Sequence, residues 1–429
     1  MTPASTPAAN PAKTRWRMLG MLCLAVVLSF TTWFSTTAIA PDLKSAWQLS
    51  DATLGWLTNA VQIGFVLGAL SASLVNLPDI VRLNRLMAGS ALVAAIANAV
   101  LLFEPSVDIA IAARLATGMA LAGVYPPALK LVATWFVTRR GLALSGVIGA
   151  ITAGSALPHL LRAVIFSAGT GAPQAAAQSS AASGLDWHLV ILMSSAATLI
   201  GAVMFLVFTR EGPHPFGKAV FNPREIGVVL RDRALVLVTL GYLGHMWELY
   251  AMWAWLLAYL SQALQTGSNL DGADASILTF LAVAAGVAGC FLGGLLSDRF
   301  GRTATTAGMM IVSATCAALI GVVFDGPFLL LALVVIVWGI AIIGDSAQFS
   351  AAATELADRH YVGTALSLQM GLGFGLTILI IWLMPHLASA FGGWRWTFSV
   401  LAVGPVIGTG AMLILRRLPE AARLAGGRR

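Results

Sequence analysis

The chain has 429 residues, of which 58% are hydrophobic and only 10% are charged, and its mean hydropathy is +0.86. A soluble domain usually has about 25% charged residues, so this composition excludes an ordinary soluble enzyme and a disordered chain. The formal net charge of +7 does not indicate nucleic-acid binding, because the basic residues lie at the ends of apolar segments. The length instead suits about a dozen membrane-crossing helices of about 20 residues each.

Twelve apolar segments, numbered here as spans 1 to 12, are each long enough to cross a bilayer as a helix. In chain order they cover residues 17–40, 52–76, 83–103, 108–131, 140–165, 187–209, 234–260, 274–296, 303–324, 327–350, 361–387 and 391–416. The pattern predicts an all-α membrane protein with twelve transmembrane helices. Its three scattered cysteines, Cys23, Cys290 and Cys316, form neither a disulfide framework nor a metal site.

The basic residues predict the orientation of the chain. Of the 25 Lys and Arg residues, only Lys44, Arg162 and Arg395 lie on one side, in a loop or at the outer end of a span, and Arg114 lies well within a span. The others fall in the tails and in the loops of the opposite side, which the positive-inside rule assigns to the cytoplasm. We therefore expect a multi-pass protein of a bacterial inner membrane with both termini in the cytoplasm and the lipid bilayer as its surroundings.

The chain divides into two related halves. Gly141-Leu-Ala-Leu-Ser145 opens span 5 and Gly363-Thr-Ala-Leu-Ser367 opens span 11, and both spans end in Pro-His-Leu. Such pairs indicate a duplicated six-helix unit. The predicted organisation is a tail at 1–16, a six-helix bundle at 17–209, a linker at 210–233, a pseudo-symmetric second bundle at 234–416 and a basic tail at 417–429.

A charged turn joins spans 8 and 9, with the sequence Gly294-Leu-Leu-Ser-Asp298-Arg299-Phe-Gly301-Arg302. Gly301 permits a turn conformation that other residues resist. The charges can pair with each other and with nearby helix ends, so Asp298, Arg299, Gly301 and Arg302 are candidates for a latch that holds one conformation of a two-state protein. The alternative is a basic loop that only obeys topology rules.

This turn resembles the signature loop of the major facilitator superfamily, which in that family also occurs between spans 2 and 3. Asp79 matches the acidic residue of the earlier copy, but Ile80 and Arg82 depart from its pattern. Arg114-Leu-Ala-Thr-Gly118 resembles the second signature. Trp135-Phe136, followed by Arg140-Gly141, resembles a loop of the nitrate/nitrite and organic-anion branches. The resemblance implies two six-helix bundles around a central cavity, working by alternating access.

Ionisable groups within spans cost about 3 kcal/mol at a helix centre, so each needs a reason. We expect Arg114, His245, Glu248, Asp345 and Gln348 to line a substrate site. Glu248, which is deepest, is the first candidate for a proton carrier, and Asp345 is the second. The alternative is a set of internal salt bridges. Arg114 needs a carboxylate or an anionic ligand as its partner. An ion pair with Glu104 or Asp108 would indicate a structural role, and contact with a substrate anion would indicate a functional one.

Aromatic residues cluster in span 7, where Tyr250 and Trp253 are candidates for the cavity wall. Trp33 in span 1 and Tyr125 in span 4 are further candidates. Tyr125-Pro126-Pro127 interrupts span 4, which either lets the helix bend during transport or ends a kinked segment.

The function that these features predict is proton-coupled secondary transport of a small organic solute, anionic or amphipathic, by a monomer. A multidrug/proton exporter is the main alternative, and a polytopic membrane enzyme or an ion channel is less well supported. The sequence has no Walker loop, so ATP does not drive the protein directly. It has no metal-ligand cluster or catalytic arrangement, and we expect no cofactor and no nucleic-acid partner.

Overall fold

A computed structural model describes residues 11–137, 139–170, 180–214, 222–267, 272–358 and 360–428. The first ten residues of the predicted tail and residues 215–221 of the predicted linker lie outside the described part. Lys218, Arg359 and Arg429, which contributed to the predicted orientation, lie outside it as well. The described ranges contain helices and no strand, which confirms the all-α prediction.

The first six spans form helices, although the helix of span 1 ends at Phe30, well before the predicted end of that span. They are Pro11–Phe30, Asp51–Leu74, Leu83–Ala99, Val107–Leu121 with Tyr125–Trp135, Arg140–Thr170 and Ser180–Phe208. Span 4 is interrupted as predicted, because its helix ends at Leu121 and begins again at Tyr125. Pro126 and Pro127 lie in the first turn of the new helix, where a missing N–H breaks no helical hydrogen bond.

The last six spans form the helices Arg233–Gly267, Gly272–Phe300, Arg302–Leu319, Phe328–Gly344 with Ser346–Leu356, Val362–Ala390 and Val403–Arg417. The interruption of span 10 at Asp345 was not predicted. The basic tail forms a 3₁₀ segment, Pro419–Gly427, and Ala421 and Leu424 are fully buried within it. The tail therefore packs against the second bundle rather than extending from it.

Nine of the described helical segments are long and apolar enough to cross a membrane. They correspond to spans 2 to 6, 8 and 10 to 12. Spans 1, 7 and 9 also form helices but are not among these nine segments. The fold is therefore consistent with twelve transmembrane helices.

Small residues let the helices pack closely. A Cβ atom on Gly64 would lie 2.0 Å from the carbonyl oxygen of Leu115, and one on Gly118 would lie 2.0 Å from that of Val61. Spans 2 and 4 therefore pack backbone to backbone. Arg114 lies one helical turn before Gly118, so this close contact also fixes the position of Arg114. Between the two bundles, span 5 packs against span 8 and span 2 against span 11.

The bundles have two ends, which we name by their residues. The linker face is the end that carries Lys130, Asp298 and Arg302. The far face is the opposite end, which carries Arg162 and Ser276.

Candidate functional site

The helix of span 1 ends at Phe30, and the chain turns before a short helix continues. A helix end leaves backbone carbonyl groups without helical partners. Arg114 supplies the missing donors: Nη1 donates to the carbonyl oxygen of Thr32 at 2.8 Å, and Nη2 donates to that of Trp33 at 2.6 Å. Nη1 also donates to Asn98 Oδ1 at 2.8 Å. Arg114 therefore holds the turn that carries Trp33.

This environment differs from the one expected for Arg114. The side chain is fully buried, yet the partners given above are neutral oxygens rather than a carboxylate. Glu104, one of the expected partners, lies with its Oε1 3.1 Å from His188 Nε2. Arg114 thus binds neutral oxygens where a carboxylate or an anion was expected, because carbonyl dipoles at an interrupted helix also stabilise a guanidinium. Contact between Arg114 and a substrate anion stays a prediction.

A cavity of about 160 Å³ lies at the boundary between the two bundles; we call it the central cavity. The structure brings four of the predicted aromatic residues together in its wall: Trp33, Tyr125, Tyr250 and Trp253. The rings meet across the boundary, with 6.0 Å between the ring centroids of Trp33 and Tyr250. Phe34 and Trp253 are 5.9 Å apart by the same measure. Both bundles therefore contribute to one aromatic wall.

Polar contacts join the bundles on the far-face side of this cavity. Asn59 Nδ2 in span 2 donates to the carbonyl oxygen of Ile378 in span 11 at 3.2 Å. Arg162 Nη1 in span 5 donates to Ser276 Oγ at 2.6 Å and to the carbonyl oxygen of Gly272 at 3.1 Å, both in span 8. These bonds hold the two halves together at the far face.

A second cavity, of about 220 Å³, lies toward the linker face between spans 2, 4 and 11. Its wall shares Leu366, Met370 and Phe374 with that of the central cavity. Asp79 and Lys130 also line it, and Lys130 Nζ lies 2.6 Å from Asp79 Oδ1. The two cavities are therefore neighbours, with an ion pair at the linker-face end.

The acidic residues of spans 7 and 10 lie one layer behind the cavity wall. His245 Nδ1 is 2.8 Å from Asp345 Oδ1, and their side chains are only 1% and 3% exposed. Asp345 occupies the interruption of span 10, and its sequence neighbour Ser346 lines the central cavity. The pair is thus buried and adjacent to the cavity.

Glu248 faces the interior of the second bundle. Its Oε1 accepts a hydrogen bond from Trp338 Nε1 and its Oε2 accepts one from Ser313 Oγ, both at 2.7 Å. Glu248, like Arg114, His245 and Asp345, does not belong to the described lining of the central cavity. These predicted substrate contacts therefore lie behind the wall in this conformation.

The turn between spans 8 and 9 binds a nearby helix end through Arg302. Arg302 donates from Nε to Glu355 Oε2 at 2.7 Å and from Nη2 to the other carboxylate oxygen, Oε1. Its Nη1 donates to Gln348 Oε1 at 2.8 Å, so Gln348 belongs to this cluster and not to the cavity wall. Gly301 has φ of +89°, as the turn requires. Asp298 contributes its backbone carbonyl, which accepts from Arg428.

Several residues of the site were not predicted. Gln369 and Phe374 line the central cavity, Asn98 binds Arg114, and Arg162 joins the bundles. The polar side chain of Asn98 within an apolar span was a usable signal. Arg162 gave no such signal at the outer end of span 5, because its contacts depend on how that span packs against span 8.

Two helical bundles around a cavity with buried charged groups define a membrane transport protein. The chain belongs to the Major Facilitator Superfamily, whose family model matches residues 22–381 and 250–429.

Curated relatives of the chain are also transporters of this superfamily. The chain is 23% identical over 310 residues to the probable sulfoacetate transporter SauU of Cupriavidus necator, covering 67% of this chain and 66% of that protein. The match therefore spans just under two thirds of that relative. It is 26% identical over 193 residues to the MFS-type transporter pytF of Aspergillus terreus, covering 45% and 58% of the two chains.

Solved structures share the fold. A bacterial homolog of the human lysosomal transporter Spinster, in an inward-facing and unoccupied conformation, superimposes with a TM-score of 0.72 at 16% identity, covering 96% of this chain and 98% of that one. A D-xylose–proton symporter superimposes with a TM-score of 0.65 at 16% identity, covering 95% and 99%. At this level of identity, the likeness shows the fold alone.

Proposed function

We propose that this protein is a secondary active transporter that moves a small organic solute by alternating access, coupled to protons. The central cavity between the bundles carries this proposal. Transporters built from repeats bind substrate at the boundary between the halves, which rock around the site. The bonds from Asn59 and Arg162 close the far face, and the second cavity extends toward the linker face.

The asymmetry of basic residues supports a cytoplasmic linker face. The solute would then enter or leave the central cavity from the cytoplasm in this conformation. We further propose a monomer in a bacterial inner membrane, with no cofactor besides the proton gradient.

The buried pair of His245 and Asp345 is our candidate for the proton site. The two ionisable side chains lie 2.8 Å apart in the buried interior, where a charge without a compensating partner is costly. The position of Asp345 beside Ser346 of the cavity wall supports coupling between this pair and the substrate.

Glu248 is the second candidate, which reverses the order expected from its depth in span 7. Both of its carboxylate oxygens accept hydrogen bonds, from Ser313 and Trp338. These two bonds fix the side chain between spans 9 and 10. We therefore propose that Glu248 mainly orders spans 7, 9 and 10.

Purified protein in proteoliposomes tests the proposed function. Uptake of radiolabelled sulfoacetate and of a panel of small organic solutes is measured with and without an imposed pH gradient. We expect at least one solute to accumulate only with the gradient. Asp345→Asn should abolish accumulation but retain exchange of the solute across the membrane.

Asp325→Asn is the matched control, because Asp325 forms an exposed ion pair with Arg395 far from the cavity. If the Asp345→Asn variant still accumulates the solute at the native level, Asp345 is not the proton site. Flux that saturates but never responds to the gradient would exclude proton coupling.

A further inference from the structure

Three side chains of the central cavity wall each carry an N–H donor that has no hydrogen-bond acceptor among the described residues. The donors are Trp33 Nε1, Trp253 Nε1 and Gln369 Nε2, and their residues are 2%, 2% and 3% exposed. Buried donors are nearly always paired, because an unpaired one loses its bond to water without replacement. Three such donors around one cavity indicate a ligand that supplies acceptors.

The wall is otherwise dominated by rings. Seven aromatic side chains line the cavity: Phe30, Trp33, Tyr125, Tyr242, Tyr250, Trp253 and Phe374. Ring faces at this density favour a ligand with a flat or ring-shaped apolar body. The described lining contains no Asp, Glu, Lys, Arg or His, so a ligand with net charge would have no counter-ion in contact with it.

Ionisable groups lie behind the wall on both sides of the cavity. Arg114 holds Trp33 on the side of the first bundle, and Asp345 and Glu248 lie behind the wall of the second. None of the three belongs to the described lining, so none contacts a ligand in the cavity as a counter-ion. A polar molecule without net charge is favoured in such a site, because burial of an unpaired charge is strongly unfavourable.

Building on the proposed transport function, we infer that the substrate is an uncharged ring compound whose carbonyl, ether or hydroxyl oxygens accept hydrogen bonds from Trp33, Trp253 and Gln369. The rings of the wall bind its apolar faces, and the three donors orient its polar edge. The class excludes small organic acids such as sulfoacetate, for which the lining offers no cation.

The test uses sets of ligands that share a ring and differ in charge. Benzamide, benzoate and benzylamine form one set, and the corresponding naphthalene amide, carboxylate and methylamine form a second. Binding of each compound, and of sulfoacetate, to the full-length protein in nanodiscs is measured by quenching of tryptophan fluorescence and by thermal shift. We expect the amides to bind at least roughly tenfold more tightly than their charged partners.

Variants that remove one donor and keep the shape of the wall identify the groups that bind. Trp253→Phe and Gln369→Leu should each weaken amide binding roughly tenfold while leaving the thermal stability of the empty protein unchanged or raised, since each removes an unpaired donor. Trp382→Phe is the control, because Trp382 is 40% exposed outside the cavity. A loss of stability without loss of binding would overturn the role of the donors.

The outcomes separate this inference from the proposed function. Preferential binding of the carboxylates or of sulfoacetate, or failure of every neutral compound to bind, overturns the uncharged class. If such an anion is then accumulated in proteoliposomes, the transport function stands and only the substrate class fails. Amides that bind through Trp253 but never cross the membrane would support the class and contradict the transport function.

Discussion

His245 Nδ1 lies 2.8 Å from Asp345 Oδ1 in the interior of the second bundle, where span 10 is interrupted. The helical hydrogen-bond pattern is interrupted at Asp345, although its backbone stays in the right-handed helical region. A titratable pair is thereby placed between a helix break and the wall of the central cavity. This relationship makes the pair a candidate link between protonation and the conformation of span 10.

Replacement of His245 by Gln should uncouple the protein from the proton gradient. The substitution keeps a polar group in the volume of the imidazole but removes the titratable ring. We expect solute exchange to persist and gradient-driven accumulation to fall at least roughly tenfold.

Glu248→Gln should instead lower thermal stability. One carboxylate oxygen becomes an amide nitrogen that faces the hydrogen-bond donor of Ser313 or Trp338.

Counterflow and gradient-driven uptake, measured on the same liposome preparation, distinguish these outcomes. Full accumulation in His245→Gln would contradict a role of the pair in coupling. Loss of accumulation in a fully stable Glu248→Gln would restore Glu248 as the first candidate.

Arg302 and Glu355 should control turnover more strongly than Asp298. The bidentate contact joins the start of span 9 to the end of span 10, whereas Asp298 takes part through its backbone carbonyl. Glu355→Gln should slow transport several-fold with little change in substrate affinity, and Asp298→Asn should have a smaller effect. Initial rates and binding are measured for both variants; an equal or larger effect of Asp298→Asn would favour the latch expected from the sequence.

Arg114→Lys should destabilise the first bundle. Lysine keeps the charge but loses the fork of donors that binds the carbonyl oxygens of Thr32 and Trp33. We expect a loss of about 2–4 kcal/mol in unfolding free energy and a change in the fluorescence of Trp33. Asn98→Asp is an informative second variant, because a carboxylate beside Arg114 preserves the contact with a stronger acceptor. A stable Arg114→Lys protein that loses only anion binding would support direct contact with a substrate anion instead.

The bonds from Arg162 to span 8 should stabilise the conformation with a closed far face. Arg162 is held by Asp42, with 2.7 Å between Nε and Oδ2, while its Nη1 reaches Ser276 Oγ. Ser276→Ala removes one bond between the bundles and leaves the ion pair, so the population with an open far face should rise several-fold.

Spin labels at exposed positions 44 and 391, in a background without the three native cysteines, report the far-face distance. Thr315→Ala, an exposed hydroxyl that bonds within its own helix, is the control. Unchanged distance distributions in Ser276→Ala would show that this bond does not hold the far face closed.

The sequence was sufficient for the architecture because apolar length and charge asymmetry are local properties. It predicted the break at Tyr125-Pro126-Pro127 from residue types alone, and it selected Trp33, Tyr250 and Trp253 as wall residues. It could not assign the partners of Arg114 or Arg302. Those depend on an unwound turn in span 1 and on the position of Glu355, which only the packing of distant segments determines.

The central claim is that a cavity between the two bundles carries a solute across the membrane, driven by protons through Asp345. Its most direct test is solute accumulation in proteoliposomes under an imposed pH gradient, compared between the native protein and Asp345→Asn. The account predicts accumulation by the native protein, collapse of that accumulation on addition of a protonophore, and exchange without accumulation by Asp345→Asn. Accumulation by Asp345→Asn that equals the native level and still collapses with the protonophore would contradict it.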